Sequence, residues 1–569
     1  MSEKDLLKAA DLLQAADLEL QAAPPSRARK LQAASPSRAR KFKIVGTLIF
    51  AAFWFSAIFF HVVPSLAHET GVASKYHAEG AKHVRKNVIF MVSDGMGPAS
   101  ISLARSFRQF RDELPFGNTL ALDKHMIGSS RTLSDSSLVT DSAAGAVAFA
   151  SGQKTYNGAI GVNPYKVPIG TILEAAKLQR NYKTGLVVTT RLTDATPAAF
   201  SAHADYRFQE DLIAQQQLGG YELGRVVDLL IGGGRCHFHP VAEGGCRADA
   251  TNLIVQAQTD GWQYVSDRAS FDKLGAKGEH VQLPLLALLA EGDIPYDLDR
   301  NASVYPSLKE ETTVAMNALL QASLDDDTSE GFFLLVEGSR IDHAGHHNDP
   351  AAQVREVLAY DETFQQVLDF VNKHSSETEQ FIVLSTSDHE TGGLATSRQI
   401  SPSYPDYVWY PEALDNASHS GEYVAAKLRQ FQAADEAELG KFIGETLRSD
   451  LGIVDYTEDD IKTLSSIRDN AIDYLNNLVS FRSRTGWSTH GHSAVDVNIY
   501  GYSPKRKVMG EIYENLAGNH ENIEIGQFMQ RWVDVDISKI TQKIKNVEHS
   551  PKDGVSAESV SGDAYHFNV

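Results

Sequence analysis

Five short stretches concentrate the side chains that can do chemistry. SDGMG carries Asp94. RLTDATP carries Asp194 and Thr196, and EGSRIDHAGHH carries Glu337, Asp342, His343 and His346. SDHETGG carries Asp388 and His389, and VTDSAAGAVAFASG carries Asp141 and Ser142. Asp and Ser favour turns and helix starts, so each stretch by itself reads equally well as a connection between elements. Gathered in one crevice, however, these carboxylates would repel one another, and bound cations relieve that repulsion. Imidazole nitrogen with carboxylate oxygen suits zinc; carboxylate and hydroxyl oxygen without His suits magnesium. Asp342 and His346 are four residues apart and can face one way from a single helical turn. A three-ligand zinc site needs a further His, and GWSTHGHSAVD offers His490 and His492.

Ser142 heads an Ala-rich run with Gly152 placed to stop a helix. At a helix start it is either a cap or a nucleophile with backbone N–H groups aimed at an anion, and the two readings are compatible. A Ser hydroxyl needs a base or a metal to lose its proton. No Gly-x-Ser-x-Gly elbow surrounds it, so activation would come from a metal. Two metals that share a phosphate's oxygens are the arrangement used for in-line displacement.

These stretches must be carried to one place. Four of them follow short apolar runs that read as buried parallel strands: KNVIFMV to Val92, TGLVVTT to Thr190, GFFLLVE to Glu337 and QFIVLST to Thr386. A fifth run, VVDLLI, ends at Ile231. Helical stretches such as PIGTILEAAKLQR and AAQVREVLAYDETFQQVLDFVNKH alternate with them. The expected fold is a doubly wound, mostly parallel α/β sheet with helices on both faces, in which ligands bind beyond the strands' carboxyl ends.

With IFMVSDGMG, VTDSAAGAVAFASG, LTDATPAAFSAHADYR, LLIGGGR, LVEGSRIDHAGHHND, STSDHETGG and STHGHS in this order, residues 86–535 resemble the alkaline phosphatases, and with the N-terminal anchor described below the chain looks like the membrane-anchored vacuolar members of fungi. The resemblance implies hydrolysis of phosphate monoesters with a broad substrate range, through a phosphoserine at Ser142, with two Zn2+ and one Mg2+ per subunit. It implies one zinc on Asp342, His346 and His490, and a second on Asp94, Asp388 and His389. Magnesium falls to Asp94, Thr196 and Glu337, with Asp194 reaching it directly or through water. Arg207 is implied to grip two phosphate oxygens, a task Arg performs better than Lys. Asp141 orients Arg207 or the helix, and His347 and His492 have no role. Two positions mix patterns: Asp194 follows bacterial members where animal enzymes have His, and His343 follows animal members where the best-known bacterial enzyme has Lys. A homodimer is implied in the same way.

The rest of the 569-residue chain sets the context. A net charge of −20 argues against a nucleic-acid partner. Ile44–Val63 contains no charged residue and is long enough to span a bilayer. The basic residues from Arg27 to Lys43 precede it, which assigns 1–43 to the cytosol and the remainder, after a linker at 64–85, to the far side. The expectation is a single-pass vacuolar membrane protein with a lumenal catalytic domain. LQAAPPSRARK at 20–30 recurs as LQAASPSRARK at 31–41. Sequons at Asn301 and Asn416 suit a lumenal domain, and Cys236 and Cys246 can close a disulfide in an oxidising compartment. Residues 394–489 read as a partly helical insertion that caps the site or meets a second subunit. Residues 536–569 read as a tail, disordered or processed, most plainly from 545 onward.

Overall fold

A computed structural model of the chain describes residues 83–550. The basic segment, the apolar span Ile44–Val63 and the tail beyond 550 lie outside the described residues. Among the described residues no helix is long and apolar enough to cross a membrane.

The strands are β1 (Arg85–Val92), β2 (Met126–Arg131), β3 (Lys183–Arg191), β4 (Leu229–Gly233), β5 (Gln263–Val265), β6 (Leu285–Leu288), β7 (Phe332–Glu337), β8 (Glu379–Thr386), β9 (Glu390–Thr391), β10 (His492–Ser493), β11 (Val497–Tyr502) and β12 (Gly518–Glu521). Ten of them form one sheet in the order β12-β2-β11-β8-β1-β7-β3-β4-β6-β5. β11 runs antiparallel to both its neighbours, β2 and β8. The other pairs are parallel. β1 is central, and its side chains alternate between two cores. Val88, Phe90 and Val92 pack into one apolar cluster, and Ile89 and Met91 into the other. Layers on both faces of a mostly parallel sheet are what near-continuous apolar strands require. The five strands expected from sequence are present.

The strand β1 brings Asp94 to the carboxyl edge, and its parallel partners β7 and β8 bring Glu337 and Asp388 to the same edge. Register aligns them: Val92 pairs with Glu337 on one side and with Thr386 on the other. Three chemistry-bearing segments far apart in sequence thus leave the sheet side by side.

The 394–489 region is helical, with Gly421–Gln430, Glu436–Asp450, Glu458–Ser466 and Ile472–Ser483 as its main helices. Its Leu414, Val424, Leu428, Ile443 and Leu475 join the same apolar cluster as Ile89 and Met91. Its ends are clasped by the two-stranded β9–β10 pair, His492 opposite Thr391. Cys236 and Cys246 are joined in a disulfide. The expected tail needs one correction. Residues 537–544 form a helix whose Ile537, Ile540 and Ile544 are buried against Ala175. A three-to-four spacing of Ile on one face buries that face, so the folded unit runs past 535.

Candidate active site

The helix Ser142–Ser151 begins where VTDS predicts, but its cap is Asp141 rather than Ser142. Asp141 Oδ1 accepts from Ala144 N at 3.0 Å. Ser142, one residue further on, is therefore not needed as a cap, and its buried Oγ lies 3.1 Å from His389 Nε2.

Three imidazoles face the same crevice with the same polarity. His492 Nδ1 donates to the Thr140 carbonyl at 2.8 Å. His346 Nδ1 donates to the His490 carbonyl. His389 Nδ1 donates to Thr391 Oγ1 at 3.2 Å, and that hydroxyl in turn donates to Asp342 Oδ1. Each ring is thereby oriented with its Nε2 turned inward, which is how metal-ligating His are held. His346 Nε2 and His492 Nε2 stand 3.1 Å apart. Two facing imidazole nitrogens at that distance require a shared proton or a cation beside them.

The carboxylates complete two groups whose ligand atoms lie within 4.8 Å of one another: Asp94, Asp388 and His389, and Asp342, His389 and His492. In the first, His389 Nε2 is 3.2 Å from Asp388 Oδ2 and 3.4 Å from Asp94 Oδ1. Asp94 Oδ1 and Asp388 Oδ2 are buried with no hydrogen-bond partner of good geometry. In the second, Asp342 Oδ1 is 3.5 Å from His492 Nε2, and His346, beside this group, brings its Nε2 to 3.2 Å from Asp342 Oδ2. Such a donor set, orphaned and inward-facing, fits divalent cations.

His490, expected among the ligands, is turned away from the cluster. His490 Nδ1 donates outward to the His346 carbonyl at 2.8 Å, and its Nε2 lies 3.4 Å from the Asn348 carboxamide. His492, set aside as a bystander, takes the inward position because the β9–β10 pairing holds it opposite Thr391. His490 precedes that short strand, in the bend before it, so the pairing that fixes His492 does not fix His490. Thr391 was also missed from sequence; its signal was only its place two residues after His389.

A third cluster sits beneath. Glu337, at the end of β7, accepts from Ser339 Oγ at 2.8 Å. Thr196 is buried in the helix Ala195–Ser201 with its hydroxyl against Glu337. Asp194 caps that helix through Ala195 N at 2.7 Å and also receives Arg207 Nη2 at 2.8 Å and Arg191 Nη2 at 3.1 Å. Arg207 Nη1 is 3.5 Å from Asp141 Oδ2, so two carboxylates aim one guanidinium beside Ser142. His343 is turned toward Asp293, 3.6 Å away.

The charges are uneven. Burial first, then Asp388, Asp342 and Glu337, pushes Asp94 well above the ordinary carboxyl range. Burial, with Asp194 and Asp388, pushes Glu337 up to about 8. Burial also acts to raise Asp342, but His346, His492 and His389 hold it well below the ordinary value. Burial alone would lower Arg207, but Asp194 and Asp141 keep it charged.

Two expectations follow. His492→Ala should abolish retention of one divalent ion per chain after dialysis against trace chelator, whereas His490→Ala should retain it; metal analysis of both variants decides, and equal retention would overturn the ligand swap. Without metal, Glu337 holds a proton that an unfolded carboxyl, with a value of about 4.3, has lost at neutral pH. A raised folded-state value stabilises at low pH and is lost as pH rises through about 8. The metal-free protein should therefore fall in Tm across that window, and metal loading at neutral pH should release protons to an indicator dye. No proton release would refute the assignment of Asp94 and Glu337 to one cation cluster.

The comparisons agree with this chemistry. Residues 85–535 match the alkaline phosphatase family model. The chain is 55% identical over 510 residues to the repressible alkaline phosphatase of Saccharomyces cerevisiae, covering 87% of this chain and 89% of that one. Among solved structures it resembles a cold-active alkaline phosphatase from a psychrophilic Shewanella, at a TM-score of 0.65 and 29% identity, covering 79% of this chain and 99% of that one. It also resembles a variant of the Antarctic bacterium TAB5 alkaline phosphatase described with Mg bound in its M3 site, at a TM-score of 0.53 and 25% identity, covering 80% and 99%. A buried Ser beside clustered imidazoles and carboxylates, reached through matches of this extent, makes the chain a member of the alkaline phosphatase family, the metal-dependent hydrolases of phosphate monoesters.

Proposed function

We propose that Ser142 is the nucleophile of this phosphatase and that the three clusters hold two Zn2+ and one Mg2+. The observation that carries this is Ser142 Oγ, freed of capping duty and 3.1 Å from an inward-turned His389 Nε2. Zinc would sit on Asp342, His346 and His492, and on Asp94, Asp388 and His389; magnesium would sit on Asp94, Thr196 and Glu337, and the TAB5 variant with Mg in its M3 site supports the third ion. Ions at these positions neutralise the carboxylates and make hydroxyl groups easier to deprotonate. The chain's own residues do the rest. Arg207 binds two phosphate oxygens and orients the phosphorus over Ser142, held at the right angle by Asp194 and Asp141. Ser142 Oγ bonds to phosphorus as the ester oxygen leaves. Water then attacks the phosphoserine, the Ser–O–P bond breaks, and phosphate departs. The N-terminal turn of the helix Ser142–Ser151 directs backbone N–H groups at the developing charge.

p-Nitrophenyl phosphate hydrolysis at alkaline pH should vanish on chelation and return with Zn2+ and Mg2+. Ser142→Ala should keep its metal yet lose roughly 10³-fold or more in kcat/KM; activity indifferent to chelator, or a Ser142→Ala variant as fast as the parent, would sink the mechanism.

The same reading extends to location. We infer a type II anchor at Ile44–Val63 with a lumenal, vacuolar, homodimeric catalytic domain. Asn301 and Asn416 are exposed, as acceptor sites must be. The full chain should stay with membranes through alkaline carbonate extraction, lose mass on glycosidase treatment and scatter light as a pair of subunits in detergent. Deleting residues 44–63 should release it; a full chain released by carbonate would refute the anchor.

A further inference from the structure

His490 leads away from the metal-ligand cluster into a cleft of about 740 Å³. Its ring backs onto the cluster through the His346 carbonyl, and its other edge lines this cleft with Asn348 and Trp487. The far wall comes from the inserted region and includes Arg398, Tyr474 and Asn477.

Direction matters here. In-line displacement sends the leaving oxygen away from the attacking one. Ser142 Oγ lies at the His389 end of the cluster. From there the rings follow in order: His492 stacks on His389 at 3.4 Å, His346 Nε2 lies 3.1 Å from His492 Nε2, and beyond His346 stands His490, which lines the cleft. A monoester seated for attack by Ser142 therefore extends its alcohol toward these residues.

The lining is rich in carboxamides. Asn348, Gln399, Asn470 and Asn477 line it with carboxamides, of which Asn477 Oδ1 accepts from Arg398 and Gln399 Nε2 donates to the Ser401 and Ser403 carbonyls. Arg398 Nη1 donates to Asn477 Oδ1 at 3.0 Å, and among the described residues no carboxylate lies within ion-pair distance of Arg398. Trp487 is pinned at the rim. Its Nε1 donates to Ser480 Oγ at 2.9 Å, and one side of its ring packs so closely on Gly392 that an added Cβ there would meet it at 2.5 Å. A fixed aromatic edge beside carboxamides and a guanidinium suits a ring bearing several hydroxyls, with C–H groups on the indole and O–H groups on the amides.

We propose that this cleft is a leaving-group subsite, built by the inserted region, that selects phosphate esters of hydroxyl-rich alcohols such as sugar phosphates. The proposal rests on the reading of Ser142 as the nucleophile, which fixes the direction of the leaving group.

The test compares glucose 6-phosphate with p-nitrophenyl phosphate in the full, metal-loaded enzyme. Arg398→Gln and Asn477→Leu lie on exposed or half-exposed positions away from the metal cluster. Each should raise KM and lower kcat/KM for glucose 6-phosphate by about tenfold, the worth of one or two lost hydrogen bonds. The same variants should leave p-nitrophenyl phosphate kinetics unchanged, which also shows that they fold. Parallel losses on both substrates, or no change on either, would overturn the subsite. A parent enzyme that hydrolyses neither ester would fail the phosphatase reading instead, so the two failures are distinguishable.

Discussion

The structure depends on burying Asp94, Glu337, Asp342 and Asp388 together at one edge of a sheet. All four are almost wholly withdrawn from water. Carboxylates so placed either bind protons or require cations, because desolvation and mutual repulsion both disfavour the charged form. The protein resolves this unevenly. Asp342 is kept ionised by three imidazoles, while Asp94 and Glu337 are pushed toward the protonated form. The site is thereby left short of positive charge at the place where cations would complete it. Everything around it is arranged to prevent collapse: each imidazole is tethered by Nδ1, and Asp342 is tethered by Thr391.

A second, smaller balance surrounds Arg207. Arg207 is buried and would be costly without partners, and the partners it has are unequal. Asp194 holds one arm closely at 2.8 Å, while Asp141 stands off at 3.5 Å. Asp141 is itself committed elsewhere, accepting from Ala144 N and from Gly158 N at 2.9 Å. One carboxylate thus caps the helix that presents Ser142, ties down the Gly158 loop and steers the guanidinium. The helix cap and the buried Ser142 hydroxyl are adjacent residues with different partners.

The inserted region belongs to the core as much as to the rim. Its leucines share an apolar cluster with β1 and with the helix Pro350–His374, and its two ends are stitched by β9 and β10 next to His389. A segment anchored in this way can shape the site's mouth without loosening the ligands it separates in sequence. The Ile-faced helix at 537–544 closes the opposite side by covering Ala175.

What the sequence by itself determined is the set of strand-end residues and the fold that carries them. Apolar runs of strand length followed at once by Asp, Glu and His define both the sheet and the edge that binds ligands, because strand periodicity and the parallel crossover leave little choice. Ser142, Asp94, Glu337, Asp342, His346, Asp388, His389 and Arg207 were legible on those grounds or through the resemblance their motifs carry. Tertiary structure alone turned His492 rather than His490 toward the cluster, gave the cap to Asp141, revealed Thr391 as the tether and turned the expected tail into a packed helix. The reason is the same in each case. Two residues apart in a loop, or one residue apart at a helix start, differ only in which way the backbone faces them. That direction is set by pairing with a segment a hundred or more residues away, such as Thr391 opposite His492, and local spacing does not encode it.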